Sequence, residues 1–61
     1  MKIDLIKGET YNTVRNQLTL YNMSGTPVLC GYGVEVYESE TVRMVVDLNS
    51  NTLTTTMKET T

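Results

Sequence analysis

Two stretches in the middle of the chain alternate strictly, Val28, Cys30, Tyr32, Val34, Val36 and then Val42, Met44, Val46, Leu48. A period of two puts every second side chain on one face of a strand, so the pattern predicts a β-hairpin with one buried face. The intervening positions are also informative. Leu29, Gly31, Gly33, Tyr37 and Val45 are too apolar or too small for an ordinary solvated surface. They define a second face that is expected to be covered by another chain, and they are the candidate interface residues.

The hairpin register follows from parity, because a one-residue slip would set the apolar residues of one strand beside the polar residues of the other. Pairing Val36 with Val42 sets Val34 against Met44, Tyr32 against Val46 and Cys30 against Leu48, with Glu35 meeting Arg43 on the far face. The connecting loop is then centred on Ser39. Beyond it, Asn49-Ser50-Asn51-Thr52 reads as a turn into a last strand running to about Lys58, with Leu48 opposite Leu53, Val46 opposite Thr55 and Met44 opposite Met57. Residues 59–61 are expected to form a frayed tail, as chain ends do.

Upstream, Lys2 to Ile6 has the composition of a short strand, Lys7-Gly8-Glu9 that of a turn, and Ser24-Gly25-Thr26-Pro27 that of a loop. The segment from Thr10 to Met23 supports two readings. Val14, Leu18 and Leu20 share one strand parity, and the segment is rich in Thr, Asn, Tyr and Val, which are middling or poor helix formers. Tyr11, Val14, Leu18 and Tyr21 also recur at helical spacing. The strand reading gives an all-β fold, a five-stranded antiparallel meander or small open barrel. The helix reading gives an α+β fold, with a helix at about 10–22 packed on a three- to four-stranded antiparallel sheet. Circular dichroism separates them, since a pronounced helical signal excludes the first.

Length sharpens the question of what covers the second face. At 61 residues the chain is one domain, and such a domain buries only about 60% of the surface its unfolded form exposes. Small domains are commonly reinforced by disulfides, a structural metal or self-association. The single Cys30 cannot form an intrachain disulfide, and with no histidine a zinc site would need carboxylates almost alone. Self-association is the reinforcement that remains, so a homo-oligomer is expected.

Charge and chemistry mostly exclude. Five cations against seven acids leave a formal charge of −2 with no basic cluster, which argues against nucleic acid as partner. The N-terminal residues lack a signal-peptide apolar region and no apolar run is long enough to span a bilayer, so a cytoplasmic protein is expected without membrane partners. Cys30 lacks the neighbouring cation or histidine that would activate a thiolate, and its parity makes it a small core residue. Glu35, Glu38, Glu40 and Asp47 match no EF-hand spacing and suit a solvated hairpin tip. Tyr11, Tyr21, Tyr32 and Tyr37 could stack bases but lack interleaved cations. Thr52, Thr54 and Thr56 share one side of the last strand, which suits a half-solvated β surface. Gly31 and Gly33 imply a tight bend or close approach by a partner.

No catalytic, cofactor-binding or metal-binding residues are expected, and the chain reads as a non-enzyme. The expected function is that of a small interaction protein, homo-oligomeric, binding another protein through a sheet face or an edge strand. In size and style it resembles phage or mobile-element products that modulate a host factor. The alternative is a nucleic-acid-binding small β-barrel.

Overall fold

The computed structural model describes residues 1–58; the expected frayed end at 59–61 lies outside them. The elements in chain order are β1 (Lys2–Asp4), α1 (Thr10–Leu20), β2 (Leu29–Gly31), β3 (Val34–Glu38), β4 (Val42–Asp47) and β5 (Thr52–Met57). The strands form one antiparallel sheet in the order β1-β5-β4-β3-β2. The chain enters at one edge, carries α1 over one face, and returns through the β2 to β5 meander. The architecture is therefore an open five-stranded sheet with one short helix, which combines the helix of the α+β alternative with five strands rather than three or four, and the sheet does not close into a barrel.

The helix at Thr10–Leu20 corrects the strand reading of that segment. Val14 and Leu18 are buried, and Tyr21 packs against the same core, so the helical period prevails over unfavourable intrinsic propensities, as tertiary burial commonly does. Its end is defined by the backbone. Asn22 has φ +54°, the Met23 amide donates to the Leu18 carbonyl at 2.8 Å, and the Asn22 amide donates to the Thr19 carbonyl at 3.1 Å. This pair of bonds around a left-handed residue is a Schellman motif, and Met23 adds an apolar contact to the core. At the other end Gly8, with φ +91°, supplies the turn expected at Lys7-Gly8-Glu9.

The expected strand over residues 28–37 is in fact two strands. Tyr32 and Gly33 have φ +54° and +78°, and Gly31 pairs with Val34. Positive φ at both central residues is the signature of a type I′ hairpin turn, which breaks the alternation between Gly31 and Val34. As a result Val28, Cys30 and Tyr32 do not join a buried face; Val28 is 61% exposed, Tyr32 is 100% exposed, and Cys30 is an exposed free thiol rather than a core residue.

The β3–β4 register also differs from the expected one, by an odd number of residues. Val36 pairs with Val45, Tyr37 with Met44 and Glu38 with Arg43, so Glu35 does not meet Arg43. The tight turn accounts for the shift. The Ser39 amide donates to the Val42 carbonyl at 2.9 Å, while the Ser39 hydroxyl accepts from the Thr41 and Val42 amides. This seats the turn at Glu40 and Thr41 and turns Val34 and Val36 outward. Tyr37 takes the core position instead. Between β4 and β5 the expected parity holds with a two-residue displacement, Val46 lying opposite Leu53 and Met44 opposite Thr55.

The core sits between α1 and the helix-side face of the sheet. Met44, Val46 and Leu53 are fully buried, with Leu5, Val14, Leu18 and Tyr37 around them. Tyr37 is 6% exposed and its hydroxyl donates to Glu35 Oε1 at 3.1 Å. Burial pushes its pKa from the ordinary 10.0 up to about 12, and the hydrogen bond to Glu35 and that carboxylate's charge act in the same direction. Between those two values the unfolded chain releases the proton first, so this group's contribution to stability is complete below pH 10 and is lost as pH rises towards 12. A tyrosinate absorbance titration is expected to lose its component near pH 12 in Tyr37→Phe; an unchanged titration curve contradicts the assignment.

Candidate interaction surface

The face of the sheet turned away from α1 carries the candidate site. The strand registers align Leu29, Val36, Val45, Thr54 and Lys2 in one row across all five strands. A second row runs Gly31, Val34, Asp47, Thr52 and Asp4, and a third holds Glu38, Arg43 and Thr56. With strands about 4.8 Å apart, the first row is apolar over the β2, β3 and β4 positions and polar beyond them. A shallow depression of about 440 Å³ lies at its apolar end, lined by Val28, Leu29, Val36, Glu38, Arg43 and Val45. Val28 and Leu29 are each 61% exposed, and among the described residues no helix covers this face.

One rim of the depression is an ion cluster. Glu38 Oε1 lies 2.7 Å from Lys58 Nζ and 3.3 Å from Arg43, and Lys58 also donates to the Ser39 carbonyl at 2.8 Å. The Lys58 hydrogen bond holds the Glu38 carboxyl below the usual carboxylate range, assisted by Arg43 and opposed by desolvation. On the other side Lys2, Asp4 and Asp47 set both charge signs among the threonines. The arrangement is an apolar patch at the β2 edge of the sheet, flanked by charged residues on its other sides.

The structure brings together three of the five sequence-derived interface residues. Leu29, Gly31 and Val45 share the open face. Tyr37 is corrected to the core, because the β3 register reverses its side, and Gly33 is corrected to the hairpin turn. Gly31 has open space where a side chain would stand, so it is not a point of close backbone approach, whereas Gly33 faces the Asn49 side chain. Val28, Val36, Glu38 and Arg43 were missed. The Gly31-Tyr32-Gly33 triplet was the available signal, since a turn placed there inverts which valines face inward.

The other sequence candidates do not assemble. Tyr32 lies at a hairpin tip and Tyr11 on the exposed helix surface, while Tyr37 is in the core. Among the described residues no three His, Cys, Asp or Glu side chains come together as a metal site, and no helix is long and apolar enough to cross a membrane. Thr52, Thr54 and Thr56 do line one side of β5, on the open face. Comparison with protein-family models, with curated proteins and with solved structures finds no match to this chain.

Proposed function

We propose that this chain is a non-enzymatic interaction protein that self-associates, and binds a partner protein in the manner of small host-factor modulators, through the open sheet face. The observation that carries the reading is the apolar cluster of exposed Val28 and Leu29 with half-buried Val36 and Val45, left uncovered by the described residues. Apolar surface of this kind, gathered and rimmed by charge, marks a contact site more often than scattered exposed residues do.

A second copy suits this face because a two-fold contact sets a patch against itself. Such a patch needs both charge signs, and Glu38 with Arg43, and Lys2 with Asp4 and Asp47, provide them. Strand addition is less favoured than face packing. Both edge strands, β1 and β2, are only three residues long, and short edges offer little ladder to a further strand.

The test is the concentration dependence of mass by sedimentation or light scattering. The wild type is expected to exceed its 6.9 kDa monomer as concentration rises. Val45→Glu, which places a carboxylate on the last apolar position of the row, is expected to weaken association by about tenfold or more. Its thermal midpoint at low concentration should stay close to wild type, because the substitution lies off the core. A 6.9 kDa monomer at the highest soluble concentration removes the self-association reading.

A further inference from the structure

On the opposite face of the sheet, α1 leaves part of β3 uncovered. The opening between them is a cleft of about 740 Å³, within the size range of small-ligand sites. Its floor is the outer edge of the buried core, Val14, Leu18, Tyr37 and Val46, and the apolar side chains exposed at its mouth are Tyr11 on α1 and Leu48 after β4. Two charged residues of opposite sign border it from different elements, Arg15 on α1 and Glu35 on β3. Among the described residues neither takes part in an ion pair. Glu35 Oε1 accepts the Tyr37 hydroxyl at 3.1 Å, and the contact to Oε2 is the weak thiol donor of Cys30 at 4.0 Å.

A carboxylate and a guanidinium that border one apolar slot without neutralising each other are complementary to a ligand carrying both charges on an apolar body. We propose that this cleft binds a short apolar peptide with free ends. The ammonium pairs with Glu35, the terminal carboxylate takes the planar fork of Arg15, and the side chains lie against the exposed Tyr11 and Leu48. A peptide fits better than a single amino acid on two grounds. The charges come from separate walls of the slot, and so do its exposed apolar contacts, Tyr11 on α1 and Leu48 after β4. The proposal is independent of the open-face contact, which lies on the other side of the sheet.

The test is an amide chemical-shift titration by NMR with leucyl-leucine, its N-acetylated form and its C-terminal amide. Saturable shifts over Tyr11 to Leu18 and Glu35 to Tyr37 are expected with the free dipeptide. Each blocked form should bind about twofold to fivefold more weakly, the upper part of the range for solvated ion pairs. Glu35→Gln keeps an acceptor for Tyr37 and should erase the penalty of acetylation while preserving that of amidation. Arg15→Gln, on the exposed side of the helix, should do the reverse. Absence of saturable shifts, equal binding of all three peptides, or penalties that persist in both variants overturns the proposal. Val45→Glu should leave these titrations unchanged, so loss of self-association and loss of peptide binding are distinguishable results.

Discussion

Leu53→Ala is expected to remove most of the stability of the fold. Leu53 is fully buried, opposite Ile3 on one side and Val46 on the other, so it joins β1 to the rest of the sheet beneath α1. Truncating a buried leucine costs about 2–5 kcal/mol, the upper part of the range applying where the cavity cannot collapse. Here the neighbours are backbone-anchored on both sides, and the fully buried Met44 and Val46 limit collapse. A chain of 61 residues holds a total of roughly 3–9 kcal/mol at about 0.05–0.15 kcal/mol per residue. The variant should therefore melt at least about 10 °C lower, at about 4–8 °C per kcal/mol for a domain of this size. Thr55→Val is the matched control. Thr55 lies two positions along the same strand face, is buried, and its Oγ1 has no hydrogen-bond partner among the described residues. Replacing that hydroxyl with a methyl removes an unsatisfied polar atom at nearly constant shape, so stability should rise by about 1 kcal/mol. Thermal or urea unfolding of both variants measures the pair. A Leu53→Ala protein within about 1 kcal/mol of wild type contradicts the central position of this residue.

The contrast between these two sites also shows which parts of the fold were legible in the sequence. Where one parity was clearly apolar and the turn residues were unambiguous, as in β4 and β5, alternation placed Val42, Met44, Val46 and Leu53 correctly inward, but Leu48 and Met57, expected on the same buried face, lie beyond the cover of α1 and are 44% and 65% exposed. Where both parities carried apolar residues, as in β3, it could not decide. Val34, Val36 and Tyr37 compete for the core there, and the outcome rests on the turns at Tyr32-Gly33 and Glu40-Thr41, which count residues rather than hydrophobicity. The same ambiguity governed Thr10 to Leu20. Its threonines and asparagines favour other conformations locally, and only burial of Val14 and Leu18 against the sheet makes the helix the better solution. Asn22 was the local clue, a residue that tolerates the left-handed conformation just after the last helical apolar position. The open face was legible in part, through Leu29 and Val45, which keep their side under either turn. Val36 was not, because its side depends on the register that the turns impose.

Gly33→Val is expected to cause the next largest loss, and Gly31→Val almost none, although the two glycines are separated by one residue. Gly33 has φ +78°, a conformation strongly unfavourable for a β-branched residue. A Cβ there would stand 2.9 Å from Asn49 Nδ2 and 3.0 Å from Oδ1. That amide cannot give way freely, because its Nδ2 donates to the Tyr32 carbonyl at 2.8 Å and ties the β2–β3 turn to the β4–β5 loop. The Leu48 amide meets the Gly33 carbonyl at 2.7 Å and adds a second tie. Strain of about 1–3 kcal/mol plus loss of the Asn49 bond follows. At Gly31 φ is not positive and nothing stands within 4 Å of the place a Cβ would take, so a β-branched residue fits the strand and removes unfolded-state freedom, for a gain of up to about 1 kcal/mol. Urea unfolding of both variants should thus move in opposite directions. Because Gly31 lies on the open face and Gly33 in the turn that orients it, Gly33→Val should also disturb the Val28 and Leu29 resonances on the exposed cluster. Equal effects at the two positions would mean that the turn does not set the face.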